Sequence, residues 1–350
     1  MKKNIFYVFV LCIIALLLIR AESVMLYTRK TLVMCYEIII PSLFPFFVCS
    51  SMLIYSGFAS VVAEYSKKIM RPLFNVASSG AAAFVLGIIS GFPLGAVCTK
   101  DLYKSGNLSK IEAERLLAFC NNSGPLFIIG SIGTAIYLKP SYGVMLYVIH
   151  IISSVIVGII FRNYGRSYHN SPLTHVNTND ISISKAISMS IDNAARNILT
   201  VCFSIIFFSS IAQALLDLLP LSPVVRAIVS GACEFSTGVL RISALDTDIM
   251  SKLVMTSFVV GFSGLSVHLQ VMSVTADAGL SLKPYILGKF LHGIIASAIT
   301  LGIVSLSKTE CVFSQNARPM SVSFLATTLF LLIGISIIFV LTRKAYHSKE

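Results

Sequence analysis

Charged residues are scarce in this chain. Asp, Glu, Lys and Arg make up 12% of its 350 residues, hydrophobic residues make up 56%, and the mean hydropathy is +0.86. A soluble domain carries roughly a quarter charged residues, so the composition excludes an ordinary soluble protein. Uncharged stretches that approach or exceed the ~20 residues of a spanning helix occur at 4–19, 38–63, 72–99, 116–138, 140–161, 197–216, 253–276, 290–307 and 319–342. The sequence therefore predicts an all-α, polytopic transmembrane bundle.

Sequence signatures of enzymes and metal sites are missing. The eight cysteines form no CxxC pair, and most lie in apolar segments: Cys12, Cys35, Cys49, Cys120 and Cys202. This spacing favours small buried hydrophobic side chains over a metal site or a disulfide framework. The chain has no GxxxxGK[ST] loop, HExxH or GxSxG motif. We therefore expect no enzyme activity, no ATP drive by this chain and no cofactor, and leave a coupling cation or proton open.

Acidic residues are fewer than basic ones, and the net charge is +12. Much of the surplus lies at the ends of apolar segments, where basic loops set the orientation in a membrane. We therefore expect the lipid bilayer as a partner and no nucleic acid. Lys2 and Lys3 precede an apolar run as in a signal peptide, but no A-x-A-like cleavage site follows, which favours an uncleaved first helix.

Two blocks of the chain, about 75–165 and 215–307, share landmarks in the same order. The pairs are Ser90-Gly91 with Ser230-Gly231, Ser123-Gly124 with Ser263-Gly264, Leu138-Lys139-Pro140 with Leu282-Lys283-Pro284, and His150 with His292. Four ordered landmarks predict an internal repeat. The expected regions are an N-terminal transmembrane helix and connector (1–30), a first repeat (31–165), a polar loop (166–185), a second repeat (186–307), and a C-terminal transmembrane helix with a basic tail (308–350).

Glycine, proline and asparagine interrupt the apolar stretches. Stretch 72–99 is too long for one straight span, and we predict a re-entrant hairpin that turns back near Gly91-Phe92-Pro93. Stretch 116–138 contains Asn121–Pro125, where proline cannot donate to the helical ladder and disfavours a helical residue before it, so the helix should stop and restart. Lipid cannot satisfy the freed backbone groups, so these segments must be buried in protein or line an aqueous cavity.

Interrupted helices at matching places in two halves indicate a transporter's binding site. A helix that restarts at Pro125 offers free N–H groups and a positive dipole end to a carboxylate or phosphate. Glu234 could bind a coupling cation or proton, and His268 could bind an anion or couple protons. The candidate site residues are Gly91, Phe92, Pro93, Gly95, Asn121, Asn122, Ser123, Gly124, Pro125, Glu234, Thr237, Gly261, Ser263, Gly264, His268 and Gln270.

Each candidate also has a structural interpretation. NNSGP could be a packed kink, Glu234 a surface carboxylate close to two arginines, and His268 a packed neutral histidine. We interpret His150 and His292 as structural. The polar face of Asp192, Asn193, Arg196 and Asn197 is expected at the membrane interface or inside the cell, with Asn193 or Asn197 facing the cavity as the alternative. Lys110, Glu112, Glu114 and Arg115 are expected at the solvated start of a helix whose N-cap is Ser109.

Several motifs resemble a known family. They are IIIPSLFPFF (38–47), GIISGFPLGA (87–96), AERLLAFCNNSGPLFIIGSIG (113–133), GACEFSTG (231–238) and GFSGLSVHLQ (261–270). They look like those of the YlbJ/SpoVV sporulation integral membrane proteins, which carry the nucleoside-recognition (Gate) domain, over about residues 35–305. The resemblance implies an endospore-forming bacterium and transport of dipicolinic acid from the mother cell across the outer forespore membrane. It also implies a fold like the concentrative nucleoside carriers, with two re-entrant hairpins and two broken helices.

We therefore expect a carrier for a small anionic solute, with dipicolinic acid as the expected solute. The alternatives are a carrier for a nucleoside-like solute and a non-transporting membrane scaffold or channel subunit needed for spore formation. Further expected partners are a second copy of the chain, in a homo-oligomer, or other sporulation membrane proteins. Composition alone does not identify the solute, although a planar dianion would suit helix N-termini and amide donors.

Overall fold

The structure, a computed structural model, describes residues 2–56, 58–165 and 182–310. The chain divides into a unit of residues 1–303 and a second unit of residues 304–350. Of the second unit, only the helical residues 304–310 are described. Every regular element of the described part is helical, which confirms the all-α prediction. The predicted helix at 319–342 and most of the predicted polar loop lie outside the described residues.

Fifteen α-helices and two π-helical segments form most of the described chain. The α-helices are α1 (Lys2–Ile19), α2 (Ala21–Met34), α3 (Ile40–Tyr55), α4 (Phe58–Tyr65), α5 (Lys67–Phe74), α6 (Gly80–Ser90), α7 (Leu94–Lys104), α8 (Lys110–Cys120), α9 (Pro140–Phe161), α10 (Ile183–Leu216), α11 (Pro223–Cys233), α12 (Phe235–Ser243), α13 (Ile249–Phe262), α14 (Gly264–Thr275) and α15 (Lys283–Glu310). The π-helical segments are Cys35–Ile39, between α2 and α3, and Leu126–Ile136, between α8 and α9. The expected connector after the first helix is itself helical, in α2.

Four described helices are long and apolar enough to cross a membrane: Pro140–Phe161, Ile183–Leu216, Ile249–Ala278 and Lys283–Ser305. A fifth candidate is the pair Val10–Ile19 and Ala21–Ile39, which is bent by 93°. Stretches 72–99 and 116–138 do not form single spans, because glycine, proline and asparagine interrupt them as predicted. The expected polar face lies near the start of α10, where Arg196 and Asp192 form an exposed ion pair at 3.0 Å.

The start of α8 differs from the prediction. Ser109 does cap the helix, with its hydroxyl accepting from the Glu112 N–H at 3.3 Å. Glu112, Glu114 and Arg115, however, are almost completely buried, so the expectation of a solvated helix start is wrong for these residues. Arg115 donates to three backbone carbonyls, those of Asn75, Tyr164 and Gly165, at 2.6–3.0 Å. Carbonyls near helix ends lack intrahelical partners, and a buried arginine satisfies them here.

The same order of elements occurs in both blocks. In the first block α6 and α7 are joined by the first turn (Gly91–Pro93), α8 and Leu126–Ile136 are separated by the first break (Asn121–Gly124), and α9 follows. In the second, α11 and α12 meet at the second turn (Glu234), α13 and α14 meet at the second break (Ser263), and α15 follows. This order agrees with the predicted repeat. The repeat and the likeness to concentrative nucleoside carriers stay predictions.

Candidate functional site

Glycines let the first turn pack against the first break. Gly91 has a φ of +82°, a conformation that side chains rarely adopt, and a Cβ there would lie 2.9 Å from the Gly124 nitrogen. A Cβ on Gly95 would lie 2.3 Å from the carbonyl oxygen of Cys120, the last residue of α8. The α6–α7 hairpin therefore approaches the end of α8 at backbone distance.

The second turn and the second break make the same kind of contact. Ser263 and Gly264 have φ values of +75° and +72°. A Cβ on Gly264 would lie 3.0 Å from the Gly231 carbonyl oxygen and 3.0 Å from the Phe235 nitrogen. The first turn and first break thus form one half of the candidate site, and the second turn and second break form the other. In each half, backbone contacts backbone, and a glycine with a positive φ allows this contact.

Aromatic rings bring the two halves together. Phe235, directly after the second turn, lies with its ring centroid 5.7 Å from that of Phe92 and 5.0 Å from that of Phe127. A cavity of about 30 Å³ lies at this junction. Its wall contains Ser90, Gly91, Phe92, Ser123, Gly124, Phe127, Phe235, Val267 and Gln270, together with Ile39, Leu43 and Phe47 of the α2–α3 region and Val201 and Ile205 of α10.

Several buried polar atoms on the turns, the breaks and the neighbouring helices have no hydrogen-bond partner among the described residues. They are Oγ of Ser90 and Ser266, both amide atoms of Asn121, Oδ1 of Asn122, Nε2 of His268, Oε1 of Gln270, the Tyr285 hydroxyl, Nζ of Lys289 and Nδ1 of His292. Most buried polar groups in proteins are bonded, and each unsatisfied one costs about 1–3 kcal/mol. Their concentration here marks a place suited to a polar ligand or water.

Some predicted site residues line the cavity and others do not. Gly91, Phe92, Ser123, Gly124 and Gln270 line it, whereas Asn121 and Asn122 lie in the break directly beside it. His268 is buried next to it, with Nδ1 2.7 Å from the Gly264 carbonyl oxygen. Gly261 lies away from the cavity wall, where a Cβ would lie 2.7 Å from Gly293 Cα of α15. Solute binding by all of these residues stays a prediction.

Glu234 is completely buried and does not reach water, so the surface alternative does not hold. Its carboxylate accepts four hydrogen bonds of 2.7–3.1 Å from the backbone N–H and hydroxyl groups of Ser236 and Thr237. It therefore acts as the N-cap of α12, where a negative charge is favoured by the helix dipole. Thr237 also lies 3.0 Å from the Ser209 hydroxyl of α10. Cation or proton binding by Glu234 stays a prediction.

His150 and His292 form a buried pair between α9 and α15. Their ring centroids are 4.3 Å apart, and Nε2 of His292 lies 3.0 Å from the His150 carbonyl oxygen. Nε2 of His150 accepts a hydrogen bond of 3.1 Å from the backbone N–H of Ser123 in the first break. The structural interpretation of both residues agrees with these contacts.

Sequence reasoning missed Lys289. This residue is completely buried in α15, and its Nζ lies 5.4 Å from the centroid of the Phe92 ring. The uncharged stretches of the sequence end at charged residues, so the last stretch of the second repeat begins at 290 and Lys289 lies outside it. A signal was nevertheless present: Tyr285, Lys289 and His292 are spaced to share one face of a helix.

Comparisons with known proteins agree with the motif resemblance. No protein-family model matches the chain, and no solved structure matches it. The sporulation integral membrane protein YlbJ of Bacillus subtilis (strain 168) is 28% identical over 341 aligned positions, which cover 85% of this chain and 83% of the relative. Together with the candidate spans of the described part, this similarity identifies a helical membrane protein.

Proposed function

Since this chain belongs to the family of the sporulation integral membrane protein YlbJ, we propose that it is a membrane carrier for a small anionic solute. The expected solute is dipicolinic acid, moved from the mother cell across the outer forespore membrane of an endospore-forming bacterium. A bound cation or proton could drive the movement.

The main support is the convergence of both turns and both breaks on one cavity. Non-helical backbone at membrane depth is tolerated where it is buried in protein or lines a cavity. Here Gly91, Gly124 and Phe235 bring three of the four interruptions to the cavity wall, and Val267 and Gln270 follow the fourth. Discontinuous helices that meet between two repeats are the typical binding site of a secondary carrier.

The direction of the helices favours an anion. The elements that follow the four interruptions, α7, Leu126–Ile136, α12 and α14, all begin at this junction. Helix N-termini carry a partial positive charge and free N–H groups. Glu234 caps α12, whereas the other three begin without a side-chain cap. In α7, however, the Leu94 and Ala96 N–H groups already donate to the Gly91 and Pro93 carbonyl oxygens. The N-termini of Leu126–Ile136 and α14 are therefore the ones that we expect to meet a carboxylate.

The size of the cavity requires movement during transport. A volume of about 30 Å³ accommodates one or two water molecules, whereas small-molecule sites occupy roughly 300–1,000 Å³. The wall opposite the turns comes from the α2–α3 region and α10, which pack along each other. In the proposed mechanism this wall moves away from the turns, which admits the solute from one side of the membrane.

Uptake of radiolabelled dipicolinate into proteoliposomes tests the proposal. Asn121→Ala and Asn122→Ala should each reduce uptake about tenfold or more at equal protein level, because each removes amide groups beside the cavity. Asn193→Ala is the matched control. Its amide lies outside the cavity wall and donates to the Ser51 hydroxyl at 3.4 Å, so uptake should stay within about twofold of wild type.

Other outcomes would support the alternatives. Uptake of radiolabelled uridine that unlabelled uridine inhibits and dipicolinate does not, together with no uptake of dipicolinate, would favour a nucleoside-like solute. A purified chain that moves neither solute, but restores dipicolinate uptake when a second sporulation membrane protein is added, would favour a scaffold or channel subunit. Either result would overturn the proposal of a dipicolinate carrier that acts by itself.

A further inference from the structure

Lys289 has a buried amine without a hydrogen-bond partner among the described residues. Its side chain is completely buried, its Nζ makes no hydrogen bond to a described residue, and the ion pairs of the described part do not involve it. An unpaired ammonium inside a protein is strongly disfavoured relative to water. An ionisable residue at membrane depth therefore indicates a function that outweighs this cost.

Lys289 lies on the face of α15 that meets the end of α8. Tyr285, Lys289 and His292 are separated by four and three residues, which places them on one side of the helix, and all three are completely buried. A Cβ on Gly288 would lie 2.5 Å from the carbonyl oxygen of Ala118. Beside the lysine, α15 therefore approaches α8 at backbone distance, two residues before α8 ends.

Two further donors without a partner lie on the same face of α15 and at the end of α8. The Tyr285 hydroxyl lies near the Asn121 amide without a hydrogen bond of good geometry between them. Lys289 is within electrostatic range of Cys120, the residue before Asn121. Lys289 Nζ, the Tyr285 hydroxyl and Asn121 Nδ2 are thus three donors without an acceptor. Such a group suits carboxylate oxygens, which accept charge-assisted hydrogen bonds.

Phe92 lies next to both Lys289 and the cavity. Its ring lines the cavity and lies 5.4 Å from the ammonium, a cation–π contact that partly replaces an anion. Phe92 is also part of the first turn, and its ring gains room when the opposite wall of the cavity moves away from that turn. A shift of this ring would connect the ammonium with the solute.

We propose that Lys289 binds a carboxylate of the solute once the Phe92 ring moves aside, with Tyr285 and Asn121 as neutral donors. This inference rests on the proposed transport function and adds to it the residue that selects an anion over a neutral, nucleoside-like solute.

Direct binding of radiolabelled dipicolinate to the full chain in lipid nanodiscs tests this inference. Lys289→Met keeps the length of the side chain and removes its charge. The affinity of this variant for dipicolinate should fall about 30-fold or more, as for the loss of one partner of a buried charge pair. Lys289→Arg should retain more affinity than Lys289→Met. Lys283→Met, at the exposed start of α15, is the matched control and should bind within about twofold of wild type.

Thermal unfolding of the same samples distinguishes binding from folding. Lys289→Met should unfold at the same or a higher temperature than wild type, because an unpaired buried charge has been removed. Affinity that falls only together with a lower unfolding temperature would indicate a structural lysine and overturn the inference.

The remaining outcomes separate the inference from the proposed function. Unchanged affinity in Lys289→Met overturns the inference alone. Phthalate, another planar dicarboxylate, serves as a second probe. If wild type binds phthalate but not dipicolinate, and loses it in Lys289→Met, then the proposed solute is wrong and the inference holds. If wild type binds neither anion, both are overturned.

Discussion

The first break and the second turn treat their buried polar groups in opposite ways. In the first break both amide atoms of Asn121 and Oδ1 of Asn122 have no partner among the described residues. In the second turn the carboxylate of Glu234 accepts four hydrogen bonds from the helix that it caps. Both regions are fully buried. The first break therefore leaves polar groups available for a ligand, whereas the second turn uses its carboxylate to fix the backbone of α12.

Replacing a glycine at a backbone contact should lower the stability most, and it should do so in both halves of the site. Gly95→Ala places a Cβ 2.3 Å from the Cys120 carbonyl oxygen, and Gly264→Ala places one 3.0 Å from two backbone atoms. Since backbone cannot yield as a side chain does, Gly95→Ala should cost about 3 kcal/mol or more of unfolding free energy. Gly264→Ala should cost somewhat less. Thermal unfolding in detergent and the yield of folded protein measure both.

Gly302→Ala is the control for these variants. No atom of the described residues lies within 4 Å of a Cβ at Gly302 in α15, so alanine should be neutral or stabilise the helix by up to about 1 kcal/mol. If Gly95→Ala were as stable as Gly302→Ala, the close approach of the α6–α7 hairpin to α8 would be contradicted.

Loss of the Glu234 carboxylate should give the next largest effect. Glu234→Ala leaves the Ser236 and Thr237 N–H groups and the Ser236 hydroxyl without their acceptor, so we expect about 2–3 kcal/mol of destabilisation in thermal unfolding. Asp248→Ala removes the cap of α13 at an exposed site, where Asp248 accepts from the Ser251 N–H at 3.0 Å. It should cost about 1 kcal/mol. If both variants lost the same stability, the buried cap of α12 would contribute no more than the exposed cap of α13.

A smaller effect is expected for a hydrogen bond that joins the two halves. The Tyr137 hydroxyl, just after Leu126–Ile136, lies 2.7 Å from the Thr256 hydroxyl of α13. Tyr137→Phe should lower stability by about 1 kcal/mol. Tyr142→Phe is the control, because its hydroxyl accepts only an exposed bond of 3.3 Å from Lys139 and should matter little. A destabilisation that is larger for Tyr142→Phe would exclude this link between the halves.

Asn121→Ala should have the smallest effect on stability, and it tests most directly whether the polar groups of the first break are free for a ligand. Asn121→Ala removes only unpartnered polar atoms, so the unfolding temperature should remain the same or rise even though uptake falls. Asn75→Ala is a useful contrast, since the Asn75 amide donates to the Arg162 carbonyl at 3.2 Å and its φ is +53°. That variant should lose about 1 kcal/mol. A clear loss of stability in Asn121→Ala would mean that the first break is a packed kink.

Local rules explain why the interruptions could be predicted from sequence. Pro125 and the glycines of GFPLG act on their own backbone, so the first turn and the first break follow from residue type. Long-range contacts explain what could not be predicted. The charges at the start of α8 are buried because distant carbonyls happen to face Arg115. Lys289 likewise lies inside because α15 crosses α8 beside it, a contact that the order of residues does not reveal.

The histidine pair makes the geometry of one half depend on the other. His150 of α9 makes both contacts: its ring nitrogen Nε2 accepts a hydrogen bond from the Ser123 N–H, and its carbonyl oxygen contacts Nε2 of His292. A tilt of α15 that carries Lys289 toward a solute would draw His292 along, shift His150, and loosen its bond to Ser123. The break would then gain a free N–H when the lysine engages its anion, so the two events would favour each other by reciprocal linkage.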